Sequence, residues 1–428
     1  MPKTLLKMIL TFSAAALSAG EPSPAHLSWD AVQQAVRSHD PVLASARDDA
    51  RVADAMAVAA YAWMPPQLAV ELMGMDAQRP DVNGYMQRQW TLTQELPFPG
   101  RTWAQGRVAS HQAEAMRAGA DLAERQELKS ALEAYYSLAA AEVLAAALDQ
   151  VGQATQEMAR VSARRSSFGQ LDRMGQFMDA MLAMEDAKVD AMRPMAQQQR
   201  RAAEATLKRL MGADPLQGLP GAKLDLPALL DGPQPSLAEA LQAAEAGSPE
   251  LAMARAKAAA ARAAHGLALS GWLPDLMVQG SMTEDAMGQR QSGAMLGVSL
   301  PWLWFWKQAG EAGAASAAAD KAQSDLEAAR LALREQVIQA HGELKAVTEA
   351  LRITSTQVAP KAGRGLELAR SGFRTTALGP TEILMAVQDY RMTQEDLAQQ
   401  IAQWGAAKAM LTMLCGAPAA APLEGAKP

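Results

Sequence analysis

The stretch ELPFPGRTW, residues 95–103, decides the fold. Two prolines and a glycine forbid a continuous helix, yet Leu96 and Phe98 are side chains suited to a core. A second such phrase, SLPWLWFWK, occupies 299–307, where an apolar run again reaches Leu-Pro and an Ala-rich stretch follows. A corner required twice implies a unit used twice.

The flanks of both phrases repeat in the same order. SWDAVQQAVRSHDPVLASAR at 28–47 matches SLAEALQAAEAGSPELAMAR at 236–255, with Pro41 on Pro249, Leu43 on Leu251 and Arg47 on Arg255. WMPPQLAV at 63–70 matches WLPDLMV at 272–278, and ARRSSF at 163–168 echoes ARSGF at 369–373. Each half closes alike, with LKRLMGADP (207–215) and LTMLCGAP (411–418). The expected organisation is a first repeat over 21–212, a Pro/Gly-rich linker with little regular structure over 213–235, a second repeat over 236–416 and a flexible tail over 417–428.

Each repeat reads as helix, helix, strand, strand, long helix, turn, helix. Asp40 and Ser248 precede Pro41 and Pro249 as N-caps before helix-starting prolines. Helical hairpins are expected over 101–211 and 308–415, with long arms 101–165 and 308–371 and returning arms 176–211 and 380–415. Leu333, Val337, Ala340, Leu344, Val347, Leu351, Thr354 and Val358 alternate steps of four and three, a heptad seam that Val387, Tyr390, Leu397, Ile401 and Trp404 continue on the returning arm. Pro194 and Pro360 should bend their helices. At 1.5 Å per residue each long arm spans roughly 95 Å, and the returning arm plus the Pro-initiated helix match it end to end. Such thin rods leave faces unburied, so self-association is expected.

Strands are expected at 67–75, 88–96, 275–284 and 292–300, each about the length a tilted transmembrane strand needs. Four strands cannot close a barrel, and an open edge cannot exist in lipid. Several copies must therefore pool their strands. The Leu-Pro phrase is then the corner between a membrane strand and a long helix, and Trp103, Trp302, Trp304 and Trp306 stand near it as interfacial aromatics would.

Bulk properties agree. Hydrophobic residues make up 49% of the 428 but aromatics only 5%, as Ala-rich packed helices require. A net charge of −6 gives no support to nucleic-acid binding. A single cysteine, Cys415, excludes an internal disulfide framework and reads as a small buried hydrophobe. Lys3 and Lys7, the apolar Met8–Leu17 and the small residues after it read as a signal peptide over 1–20. Twenty-five methionines could suggest soft-metal handling, but methionine is also a flexible core filler. The histidines lack ligand spacing, and no phosphate loop or hydrolase elbow occurs, so no enzyme, cofactor or metal site is expected.

Duplicated halves, hairpin strands and paired long helices resemble the TolC family of outer-membrane efflux proteins over about 27–416. ELPFPGR and VAPKAGRGLELARSGF (358–373) are similar to its cation-efflux, CzcC/CusC-like branch. The resemblance implies a mostly α fold with a small β part: duplicated coiled-coil hairpins and four strands per chain, closing as a homotrimer into a twelve-stranded barrel in outer-membrane lipid, with a helical tunnel in the periplasm. It implies a passive duct for metal cations or small toxic compounds, a periplasmic adaptor, and an inner-membrane pump of the resistance-nodulation-division type. Carried onto the tips, it makes Glu382, Phe373 and Leu378 a candidate periplasmic gate. Phe168, Gly169, Gly175, Gly372, Gly379 and Thr381 become a candidate adaptor-docking tip. The glycines also read simply as turn formers, and Glu382 as an acid near a helix N-terminus. A periplasmic coiled-coil adaptor or scaffold without a barrel is the alternative, although it would need β-rich domains for which there is no room.

Overall fold

The computed structural model describes residues 26–74, 86–167, 173–222, 226, 230, 232, 234–285, 287–375 and 380–416. The first repeat contains α1 (Trp29–His39), α2 (Pro41–Ala59), β1 (Gln67–Met73), β2 (Gln87–Leu96), α3 (Arg101–Ser167) and α4 (Arg173–Met211). The second contains α5 (Leu237–Gly247), α6 (Pro249–Ser270), β3 (Leu276–Asp285), β4 (Arg290–Val298), a 3₁₀ turn Pro301–Trp304, α7 (Phe305–Ile353), a π turn Thr354–Val358, α8 (Ala359–Thr375) and α9 (Pro380–Cys415). The expected signal peptide, the tail and parts of the linker lie outside the described residues.

Local chemistry sets the helix ends. Asp40 accepts from the Val42 amide at 2.8 Å, and Ser248 from the Leu251 amide at 3.4 Å, each just before a helix-starting proline. Ser236 and Glu239 form a reciprocal capping box on α5. At the end of α4, Gly212 turns left-handed and Ala213 donates back to the Lys208 carbonyl at 2.9 Å.

The second long arm departs from expectation. It begins at Phe305 rather than 308, because the tryptophan run itself coils, and it is broken at 354–358. Pro360 has no N–H to give and its ring crowds the carbonyl one turn back; a widened turn just before it relieves both problems. The hydroxyls of Ser355 and Thr356 bond to the Arg352 carbonyl at 3.2 and 2.7 Å. Leu333, Val337, Ala340, Leu344 and Leu351 of the heptad seam are buried and Val347 is half-buried, but Val358 is exposed, and Leu366, Ala369 and Phe373 take over the buried face.

The helices pack in a row. At the strand-proximal level the order is α2, α3, α6, α7; at the distal level it is α4, α3, α9, with α7 and then α8 beyond. The body where they meet is held by edge-to-face rings Trp29, Tyr135, Tyr136 and Trp404, with centroids 6.0, 5.7 and 5.1 Å apart. Thr348 is the polar hub there. It receives the Trp404 indole N–H and the Gln234 amide, both at 3.0 Å, and donates to Leu344 O at 2.6 Å. The linker is strapped on at this point: Ala222 and Leu230 are buried, positions 226 and 230 are helical, and Arg352 donates to Leu230 O at 3.2 Å. One window of α3 is apolar enough to cross a membrane, but 61% of it is buried against the body, as in a core helix.

Candidate functional site

The four strands form one antiparallel sheet in the order β1-β2-β3-β4. Paired residues share a face, so the register sorts the side chains. One face carries Leu68, Val70 and Leu72; Trp90, Leu92 and Leu96; Leu276, Val278 and Met282; and Ala294, Leu296 and Val298. Leu68 is 71% and Leu296 70% exposed, and Leu92 and Leu276 are exposed as well, whereas Leu72 and Leu96 are half-buried. The other face carries Gln67, Ala69, Glu71 and Met73; Gln89, Thr91 and Thr93; Met277, Gln279, Ser281 and Thr283; and Gln291, Gly293 and Met295, polar apart from its methionines and small residues. Apolar against polar across a single sheet is the pattern of a wall between lipid and water. The hairpin end of the apolar face is closed by Glu284, with Arg88 at 3.0 Å and Arg290 at 3.7 Å, and the Arg88 guanidinium lies 4.3 Å from the Trp90 ring centroid.

At the opposite end stands the corner with which the sequence opened. Gly100 has φ of 100°, a conformation that L side chains rarely adopt, and the chain enters α3 immediately after it. Arg101 then forks across 174 residues of sequence to the carboxylate of Asp275. Its other arm donates to the carbonyls of Ser270 and Leu273, at 2.7 and 3.0 Å, at the end of α6. Asp275 also accepts the Phe98 amide at 2.8 Å. The corner of the first repeat is thereby locked to the helix–strand junction of the second. Trp302, Leu303, Trp304, Phe305 and Trp306 stand exposed at the same end of the sheet.

At the far end of the hairpins the structure sorts the tip residues. Phe373 is buried beside Leu366, Ile383 and Val387, so it is a core side chain of the tip within this chain. Gly372 is buried as well, whereas Thr381 and Glu382 are exposed in the first turn of α9. Gly175 lies within α4, and Phe168, Gly169, Leu378 and Gly379 lie outside the described residues.

One cluster escaped the sequence reading. Glu185 on α4 is fully buried, with Arg391 of α9 donating at 2.7 Å, Lys188 at 3.3 Å and Gln388 at 3.4 Å. Arg391 also pairs with Glu395. Burial pushes the Glu185 carboxyl up, but the bonds and charges of Arg391 and Lys188 outweigh it and leave the group below its ordinary range. The signal was present in the sequence: Leu182, Glu185, Val189 and Ala196 fall on one seam, and a charge on such a seam calls for a partner.

The family model for outer membrane efflux protein matches residues 240–417. Among solved structures, the MtrE outer membrane channel of Neisseria gonorrhoeae, caught in an open state, superposes with a TM-score of 0.76 at 16% identity, covering 93% of this chain and 93% of that one. The fold is that of an outer-membrane channel. CusC, a protein described through its transmembrane channel formation, matches the channel fold with a TM-score of 0.75 at 13% identity, over 93% of this chain and 95% of that one. The outer membrane protein VceC of Vibrio cholerae matches with a TM-score of 0.73 at 15% identity, over 91% and 96%. No curated protein matches the chain in sequence.

Proposed function

We propose that the chain is one protomer of an outer-membrane efflux channel, a passive duct without catalytic chemistry. Three copies would close head to tail into a twelve-stranded barrel above a helical tunnel. One observation carries this reading: the sheet and both helical levels end on the same two flanks. The first flank presents β1, α2 and α4, and the second presents β4, α7 and α8. Apolar side chains stand exposed on both, Val52, Met56 and Met184 on one and Leu331, Ile338 and Leu368 on the other. Unlike edges that recur in the same order at every level suit a rotational ring, in which each copy's second flank meets the next copy's first. Closure also removes the strand edges that lipid cannot tolerate. Two copies would give a barrel filled by its own side chains, whereas twelve strands leave a lumen.

The finer reading follows the resemblance to the cation-efflux branch: metal cations or small toxic compounds as cargo, a periplasmic adaptor at the tips, and an inner-membrane pump of the resistance-nodulation-division type. Glu382 from three copies would ring the periplasmic mouth, and the exposed Thr381 beside it would face the adaptor. Cross-linking tests the ring. Amine-reactive cross-linking of the protein in detergent should give a ladder that ends at trimer, whereas only monomer from a protein that fractionates with the outer membrane would refute the closure. Thr381→Trp should abolish efflux while trimer yield is kept; full resistance would place docking elsewhere.

A further inference from the structure

On the polar face of the sheet every charged side chain among the described residues is an acid: Glu71, Glu95 and Asp285. At the base of that face, between the strand ends and the first turns of α3, lies an open cleft of about 550 Å³. Two carboxylates line it, and only one is neutralised. Asp275 is held by Arg101, whose other arm is taken up by the Ser270 and Leu273 carbonyls. Glu95 is exposed, and among the described residues no cation stands within ion-pair distance of its carboxylate. The cleft therefore carries one uncompensated negative charge.

The rest of its wall is apolar and adaptable. Met277 lies directly opposite Glu95 in the register of β2 with β3. Met64 closes another side, where the Gln94 amide holds the Met64 carbonyl at 2.9 Å. Gly297 faces Met277 on β4, and a β-carbon there would stand 3.1 Å from the Met277 methyl, so the missing side chain gives the thioether room to lie over β4. The charged wall is fixed in place. Besides the Arg101 clasp, the Asp275 amide donates to the Ser299 hydroxyl at 2.7 Å, so little ordering would be needed on binding.

These features select a ligand class. The volume falls in the range of about 300–1,000 Å³ common to small-molecule sites and far exceeds what a bare ion fills. A hard metal ion wants about six oxygen ligands, whereas the cleft offers one uncommitted carboxylate. Among the described residues no three His, Cys, Asp or Glu side chains gather as a metal site would require. Thioethers are polarizable and unbranched, and walls built from them accept apolar bodies of varied shape. We propose that this cleft binds organic cations with an apolar body, the charge set on Glu95 and the body against Met64, Met277 and Pro97. The cleft is built within one chain; its place on the conducting path rests on the channel reading above.

Tetraphenylphosphonium and tetraphenylborate, ions of one shape and opposite charge, test the site on full-length protein in detergent. With isotope-labelled methionine methyl groups, the Met64 and Met277 signals (assigned from Met64→Leu and Met277→Leu) should shift saturably with the cation and not with the anion. Glu95→Gln should weaken that binding about tenfold, the factor expected for one partly solvated charge contact. Gly297→Leu, which crowds Met277 into the cleft, should abolish it while the heat stability given by the Arg101 clasp is kept. If that variant does not fold, Glu95→Gln decides, because its side chain is exposed and its loss leaves the fold intact. No saturable shift at these two methyls, equal binding of both ions, or unchanged affinity in Glu95→Gln would overturn the proposal. In planar bilayers the cation should block wild-type current in brief closures and block Glu95→Gln less. Binding without any block would overturn the placing of the cleft on the conducting path. Wild-type protein that binds the cation but forms no pores would sink the channel reading and leave the site standing.

Discussion

Arg391→Met removes the partner of a fully buried carboxylate and leaves the rest of α9 in place. Glu185 has no exposed side-chain surface and Arg391 only 14%, so water can do little to replace the lost charge. Breaking one side of a buried pair costs about 3–5 kcal/mol, and the surviving Lys188 contact favours the lower end. A loss of about 3 kcal/mol in local opening free energy corresponds to an acceleration of about 100-fold in exchange of tip amides, at about 1.4 kcal/mol per factor of ten. The pH dependence has a definite sign. In the native protein Glu185 lies below its ordinary value of 4.5, so its contribution is fully present above that value and fades as pH falls through the lower folded value. In the variant burial acts with far less opposition and the folded value moves upward, so the defect should shrink as the carboxyl takes up a proton on acidification. Adding Glu185→Leu should recover most of the loss, because an apolar pair of similar volume is often nearly neutral. Tip exchange within threefold of wild type, or a defect that does not lessen on acidification, would refute the assignment of Glu185–Arg391 as a paired buried charge.

Three further outcomes follow from the geometry. Leu92→Arg, in the middle row of the apolar face with Leu68, Gly280 and Ala294, should cost about 2–4 kcal/mol and cut trimer yield, whereas Val298→Arg at the corner end should cost about 0–1 and Met287→Arg at the exposed hairpin end nothing measurable. Arg101→Ala strips the fork from Asp275 and two helix-end carbonyls, and should lower the heat stability of the assembly by about 1–3 kcal/mol, with Arg101→Lys recovering only part of it. Glu382→Gln should reduce cation selectivity of single channels if three carboxylates ring the mouth; unchanged selectivity with a small loss of stability would return Glu382 to a helix-end role.

Much of the fold was legible because it is written as repetition and periodicity. The doubled Leu-Pro corner, the caps at Asp40 and Ser248, and the seam from Leu333 to Leu351 are local signals, and the structure places each where the sequence reading put it. The strands are where they were expected within about two residues, the usual uncertainty of element ends. Three features were not legible. The Arg101–Asp275 clasp joins residues 174 apart in sequence, and in the first repeat proline stands where Asp275 stands in the second, so duplication itself concealed it. The π turn needed the consequence of Pro360 to be worked through as a backbone geometry rather than as a bend. Phe373 was read as a gate by resemblance, and its burial beside Ile383 and Val387 gives it a packing role that tip spacing alone could not reveal.

The central claim is that copies of this chain enclose a water-filled path through a membrane. Purified full-length protein added to a planar lipid bilayer tests it directly. Discrete conductance steps of uniform size are expected, larger than an eight-stranded barrel allows, and they should become rare when Leu92→Arg protein replaces wild type. Folded wild-type protein that binds the bilayer yet gives no steps would contradict it.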